Sequence, residues 1–456
     1  MNKREFLAAG GAVPLMMAGC GGNGSGSAPV RLVNASVGYK TGLGFMVEST
    51  QATTTDVTYG NASSFINVQA GAVGITLTVA NQAATSAQVR TISKDNRYSL
   101  VAFGFPNELK QVLITESTIT PDAGKANVNV LNTSVDIGAV DVYLSAGKDL
   151  SVSTLIASSI VGVSQSAFAP ILAGTYYITV VGANSIAKNI SDVRFQTPTA
   201  ITLTALEVLT IILTPGASGV LANAILLTQG TSAAATPTAP FDNLTARVRA
   251  VTSVTGMSAS VVGASSTGTV TVLPSNTTPQ YSNYFVVNTG TAPTVTVNGS
   301  PVSVVMDVTN ATTGAVTPNQ PAVLAAGGDY TLLVYLDSGS HPVAKLIEDN
   351  NTAPVTSQGV KFRLINLASD NQGLQLSMSV NSINIASNIP YGTASTYTEI
   401  SGVPQTTTSK AKVDNGAQNL LTNEQVIPLG NIFTEIVVSV PSSGPALDFF
   451  RAASGT

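Results

Sequence analysis

Four stretches of the chain open alike: VRLVNAS at 30–36, VNVLNTS at 128–134, VRAVTSV at 248–254 and FRLINLA at 362–368. Three carry Asn at the fifth place, Asn34, Asn132 and Asn366, and the third stretch has Thr252 there. A glycine follows 37, 42, 38 and 36 residues later, at Gly71, Gly174, Gly290 and Gly402. A pair of apolar runs around a turn then closes each unit, at 98–116, 209–229, 330–350 and 433–452. Three landmarks in one order at near-constant spacing define a repeat of roughly 90 to 110 residues, too long for a solenoid unit and the size of an immunoglobulin-type sandwich.

The local pattern within each copy is that of strands. ITLTVAN at 75–81 alternates Ile75, Leu77 and Val79 with Thr76, Thr78 and Ala80, a period of two. YYITVVG (176–182), TVTVNG (294–299) and YTLLVYL (330–336) read similarly. Gly, Pro, Asn and Ser clusters interrupt these runs at short intervals, as in sandwiches and barrels. The apolar tract 201–227 is broken by Glu207 and by Pro215-Gly216, and is expected to be two buried strands of a hairpin. The expected fold is all-β, a tandem array of immunoglobulin-like β-sandwich domains over 29–116, 124–229, 244–349 and 359–453. Linker-like segments separate them at 117–125, 230–240 and 350–359.

The N-terminus reads differently. Lys3 and Arg4 precede a short apolar run, Leu7–Gly19, and small residues stand before Cys20, the single cysteine of the chain. A positive start, an apolar stretch too short to span a bilayer and a small-residue cut site describe an export signal. Ala18, Gly19 and Cys20 resemble the bacterial lipobox, with Met17 where that motif most often has Leu. The resemblance implies a signal peptide over 1–19, removed before a lipidated Cys20, and a membrane contact made by that lipid. Each buried methylene gives about 0.8 kcal/mol, so stable attachment takes more than one chain. Residues 20–28, rich in Gly and Ser, form a flexible tether. Gly21 is not the Asp that holds such proteins at the inner membrane, so an outer-membrane position in the cell envelope is expected. Lys3–Leu7 also resembles the twin-arginine export motif with Lys3 in place of its first arginine; general secretion stays open.

The second copy extends the repeat into a recognisable pattern. VNVLNTSVDIGAVDVYLSAG (128–147) and LAGTYYITVVG (172–182) place Asn132, Ser134, Asp141, Val142, Tyr143, Gly174 and Tyr176 in the order of an R-x-x-N-x-S strand, a DVY strand and a G-x-Y strand. This resembles the bacterial family called domain of unknown function 4397. The first copy fits through Arg31, Asn34 and Ser36, whereas copies three and four lack the DVY element and follow by spacing. The resemblance implies exported tandem β-sandwiches and brings no catalytic residues.

Composition limits the chemistry. Charged residues are 10% of the chain, against about 25% in a typical soluble domain. The net charge of −4 becomes −5 without Lys3, Arg4 and Glu5, so a nucleic-acid partner has no electrostatic footprint. With Cys20 committed to lipid, no disulfide forms. The sole histidine, His341, falls in the turn of the third closing hairpin and reads as a solvated turn residue. Zinc needs three or four Cys and His ligands, so no metal or cofactor is expected. Asp136 and Asp141 are close in sequence, but a glycosidase pair must face one cleft, and Asp141 reads as a strand-end hydrogen-bonding group. Glu348-Asp349-Asn350-Asn351 lacks the ordered spacing of a calcium loop and reads as solvated linker. Trp is absent, and Tyr39, Tyr59, Tyr281 and Tyr284 read as core or edge packing ahead of a sugar platform. The expectation is a non-enzymatic envelope protein with a structural, adhesive or protein-contact role. A ligand-binding lipoprotein, with glycan as one candidate, is the alternative, and an enzyme comes third.

Overall fold

The computed structural model describes residues 26–453 except 54, 106–107, 184–192, 217, 231–237, 255, 266–267, 274–279, 290–293, 310–315, 357, 369–372, 374, 405–408, 415–418 and 439–448. The expected signal peptide, Cys20 and tether residues 20–25 lie outside the described residues, as does Gly290, whereas Ser27 and Ala28 already belong to the first strand. Among the described residues the chain is all-β, with one 3-10 turn at Leu150–Val152. No helix among them is long and apolar enough to cross a membrane. Eight sheets occur as four successive facing pairs, the tandem β-sandwich arrangement.

The repeated landmarks are the frame of each pair. One sheet is built on the opening strand: Ser27–Asn34, Lys125–Asn132, Thr245–Thr252 and Val360–Asn366. On one side it pairs in parallel with the first closing strand, Tyr98–Phe103, Val208–Pro215, Asp329–Leu336 and Ile432–Val437. That strand turns back antiparallel into Lys110–Thr115, Ala222–Gln229, Pro342–Asp349 and Phe449–Ala453. Parallel neighbours cannot be joined by a tight hairpin and need a long crossover. Here the crossover is the rest of the copy, which forms the second sheet and sends short strands back to the free side of the opening strand; in the third copy Val304–Thr309 and Val316–Pro321 also extend the first sheet. The central pairs of the second sheet are Gly44–Val47 with Gly71–Val79, Val140–Ser145 with Gly174–Gly182, Ala259–Ser265 with Thr294–Val297, and Leu376–Val380 with Ser409–Asp414. Each core fills the space between its two sheets: Val30, Leu32 and Leu100 meet Phe45, Ile75 and Leu77 in the first copy, and Val128, Val130 and Ile211 meet Val142, Ile178 and Val180 in the second.

Local sequence accounts for the turns. Gly71 and Gly402 stand at φ +135 and +74, backbone conformations that glycine adopts without a Cβ penalty. The tract 201–227 differs from its expected form. Ile201–Leu203 belongs to the second sheet, against Gly174–Tyr176, and only 208–229 forms the buried hairpin. Glu207 marks the crossing between sheets, its carboxylate accepting from Thr204 N at 2.9 Å. The stretch 230–240 is not wholly linker either. Thr238–Phe241 adds an antiparallel strand beside Ala224–Leu227, and the buried Asn243 ties it down through Arg194 O and Ala222 O at 2.8 and 3.0 Å.

Candidate functional site

The fifth-place asparagine is a folding device. Asn34 Nδ2 donates to Tyr39 O and Val57 O at 3.0 and 2.8 Å, while its Oδ1 accepts from Ser36 N at 2.9 Å. Asn132 repeats this with Gly138 O, Ile160 O and Ser134 N. Asn366 does so with Ile389 O and Ala368 N. All three are fully buried. The amide satisfies loop backbone groups that would otherwise lose water without replacement. Thr252, lacking an amide, accepts from Val254 N at 3.0 Å and donates to Met257 Sδ at 3.7 Å.

The second place of the opening strand points the other way, out of the sandwich. It holds Arg31, Asn129, Arg249 and Arg363, and all four are buried. Each lies directly beside a hydroxyl residue of the first closing strand: Ser99, Thr210, Thr331 and Thr434. In three copies the hydroxyl then meets a group at the end of the hairpin: Glu116 at 2.7 Å, Gln229 at 2.7 Å and Asp349 at 2.7 and 3.0 Å. These outward faces are buried because consecutive copies pack on each other. Val33, Val101, Phe103 and Ile114 of copy one meet Leu131, Ile212, Ile225 and Leu227 of copy two. Val251 and Leu333 of copy three meet Ile365, Leu367, Ile436 and Val438 of copy four. Burying an aliphatic side chain contributes about 1.5–3 kcal/mol, so these joints stabilise the assembly as a second set of cores.

The two joints differ in charge. In the first, Arg31 pairs with Glu116 at 2.6 Å, reaches across to Thr228 O at 3.0 Å, and stacks over Phe65 with Arg97 on the same ring. Copy two contributes the neutral Asn129, whose amide atoms have no hydrogen-bond partner. In the second joint three guanidiniums converge. Arg363 binds Asp349 and donates to Thr434 Oγ1 at 3.1 Å. Arg249 donates to Thr331 Oγ1 at 2.9 Å and to Thr434 Oγ1 of the next copy at 3.2 Å. Arg247 grips Asp329 with two bonds of 2.7 and 2.6 Å, the bidentate geometry suited to a buried ion pair. Tyr284 lies under Arg247 and Arg249, its hydroxyl on Asp349; Tyr397 lies under Arg363. Burial works to raise the Asp349 carboxyl, and the Arg363 and Arg249 charges outweigh it, so it titrates below the ordinary carboxylate value. The same burial, with Asp349 beside it, pushes the Tyr284 hydroxyl well above its usual range. A crevice of ≈ 660 Å³ opens beside this cluster, lined by Glu348, Asp349, Arg363, Ser395, Thr396 and Tyr397 among others.

The residues singled out in the sequence fall in separate places. His341 is exposed in its turn, where its amide donates to Asp337 Oδ1 at 2.8 Å. Asp141 accepts from Ser159 N at 2.7 Å on an exposed strand end. Asp136 instead lies at the junction of copy two with residue 353, accepting from Ala353 N at 2.6 Å. The two carboxylates thus serve different backbone amides. The reading of 348–351 as solvated linker is corrected. Asp349 and Asn351 are buried, and Asn351 Nδ2 donates to Asp329 Oδ2 at 2.7 Å. No group of three or more His, Cys, Asp or Glu fit to hold a metal occurs among the described residues. Tyr39 packs on the first core, and Tyr59 bonds Thr214 Oγ1 of copy two at 2.9 Å. Tyr281 is exposed, whereas Tyr284 belongs to the ion cluster. The outward arginines went unread as a set. The available signal was Arg at one fixed place in three opening strands, each two residues from a buried apolar position.

The chain is a tandem array of β-sandwiches with buried arginines in the joints between paired copies. Residues 28–143 match the family model described as Domain of unknown function (DUF4397), which takes in the first copy and the opening strands of the second. No curated protein matches the chain. Among solved structures, one similar chain is from Bacteroides fragilis and is provisionally described as a cell adhesion protein. The identity is 14%, the match covers 72% of this chain and 100% of that one, and the TM-score is 0.16.

Proposed function

We propose that this chain is a lipid-anchored protein of the bacterial cell envelope with a structural, adhesive or protein-contact role and no enzymatic activity. The observation that carries this reading is the pairing of copies. Sheet faces that a lone sandwich leaves wet are buried between copies one and two and between three and four, with arginines desolvated inside the contacts. Such joints fix how surfaces are presented. Cys20 supplies the anchor and the Gly/Ser tether the reach, with the outer membrane as the favoured site and an unidentified protein or glycan as the partner. Nucleic acid is not a partner on the grounds of charge.

The ≈ 660 Å³ crevice favours one second reading, capture of a soluble ligand. Its volume lies in the range of small-molecule sites, and its hydroxyls and Tyr397 suit a polar ligand such as a glycan. Two measurements test the proposal. Palmitate labelling is expected for the wild type and absent from Cys20→Ala. A substrate screen of the purified protein against polysaccharides, peptides and esters is expected to show no turnover. Turnover abolished by His341→Ala, Asp136→Asn or Asp141→Asn would establish an enzyme instead.

A further inference from the structure

The joint of copies one and two holds a buried acceptor that nothing meets. The polar residue at the end of the closing hairpin is fully used in copies two and three. Gln229 accepts from Ser117 N through Oε1 and donates to Thr210 Oγ1 through Nε2, both at 2.7 Å. Asp349 meets Thr331 with both oxygens and adds Arg363 on Oδ1 and Tyr284 and Arg249 on Oδ2. Glu116 is the exception. Its Oε1 takes Arg31 at 2.6 Å and Ser99 at 2.7 Å, whereas Oε2 has no hydrogen-bond partner among the described residues. Glu116 is 3% exposed, so bulk water does not serve that oxygen, and an acceptor left unmet in such a place destabilises the fold.

Glu116 also lines a crevice of ≈ 540 Å³ between the two copies, a volume in the range of small-molecule sites. Asp95, Asn96, Thr118 and Thr120 of copy one give it polar groups, while Pro29 of copy one and Leu206 of copy two give it apolar ones. Three features narrow what fits there. Arg31 already balances the Glu116 carboxylate, so Oε2 lacks a donor and not a cation. Two carboxylates, Asp95 and Glu116, line the crevice against one guanidinium, Arg97, which disfavours an anionic ligand. The backbone of this wall is also taken: Glu116 N donates to Arg97 O, Ser117 N to Gln229 and Ile119 N to Ser117 Oγ. A peptide arriving as an extra strand would find no ladder to extend, so recognition falls to separate side chains.

We propose that this crevice binds a neutral polyhydroxyl ligand of the saccharide class, one of whose hydroxyls donates to Glu116 Oε2. A sugar hydroxyl brings a donor without a charge, which is what the half-used carboxylate lacks, and its own oxygen can accept from the threonine hydroxyls of the rim. The C–H face of a pyranose ring suits Pro29 and Leu206. Because the walls come from both copies, the site is complete only where the two sandwiches are docked. It is separate from the crevice beside Tyr397, and it stands whether or not Cys20 carries lipid.

Titration calorimetry of the purified full chain with D-glucose, D-galactose, D-mannose, maltose and cellobiose tests this. At least one of these sugars is expected to give a saturable isotherm for a single site, and trialanine, which offers amide donors instead, is expected to give none. Glu116→Gln is expected to weaken the sugar by about tenfold or more, because Arg31 holds the amide oxygen and the NH2 then stands where Oε2 accepted. Thr118→Trp, on the exposed rim, leaves the Arg31 pair intact and is expected to weaken binding as much, which keeps the test independent of how well Glu116→Gln folds. Thr396→Trp, at the crevice beside Tyr397, is expected to leave binding unchanged. No saturable isotherm with any of the sugars, sugar binding that Thr118→Trp spares, or binding of trialanine in place of the sugars would each overturn the proposal.

Discussion

At the residue scale, the repeat's two marked positions face opposite ways, and the sign of a substitution there should follow from whether the side chain has partners. Asn132→Ala leaves the carbonyls of Gly138 and Ile160 and the amide of Ser134 without their partner. A loss of about 1–3 kcal/mol per stranded buried group is the expected scale, read as a lower urea midpoint. Asn129→Leu is expected to be neutral or stabilising, because the side chain it replaces is buried without partners beside the Leu131, Ile212 and Ile225 cluster. Arg363→Met removes one partner of a buried pair and leaves Asp349 with Arg249, Tyr284 and Thr331, a change worth up to about 3–5 kcal/mol; the double variant with Asp349→Leu should recover much of it. Urea unfolding of the single and double variants measures that coupling.

At the element scale, how much could be read from the chain depended on the range over which the information is stored. The opening strands and closing hairpins were legible because alternation and turn residues are local: Tyr98–Phe103 and Lys110–Thr115, or Asp329–Leu336 and Pro342–Asp349, are adjacent in sequence. The parallel partner of each opening strand was not, because Arg31 meets Ser99 and Arg249 meets Thr331 across a whole second sheet. Residues 348–351 looked solvated for a related reason: the groups that bury Asp349 include Arg363 of the following copy, and no local pattern announces a neighbouring sandwich. Thr238–Phe241 was hidden among small residues, since an edge strand needs little apolar content of its own. The two kinds of connection should respond differently to insertion. Two residues added between Gly339 and Ser340, in the exposed His341 turn, should change stability by no more than about 0.5 kcal/mol in thermal unfolding. The same addition between Ala353 and Pro354 separates the amides held by Asp136 and Glu399, and should lower hydrogen-exchange protection of the Ala353 amide markedly without shifting the melting of either pair of copies.

At the scale of the whole molecule, acid should act differently on its parts. Asp349 titrates below its ordinary value, so the stability it lends the joint of copies three and four is complete above pH 3.8 and is lost as pH falls through the depressed value. Acid unfolding followed by hydrogen exchange should therefore release that joint only below pH 3.8. The strand order carries one more implication. Tyr98 is level with Val30 on one side and with Thr115 on the other, so the chain enters and leaves the first copy at the same end of its sheet; Val208, between Asn127 and Gln229, repeats this in the second. Tension applied between the two ends of a copy would then peel the last strand away one hydrogen bond at a time, instead of shearing a whole ladder at once. Each copy would yield at modest load, and the array would behave under pulling as a chain of releasable lengths, dissipating a tug before it reached the proposed lipid anchor.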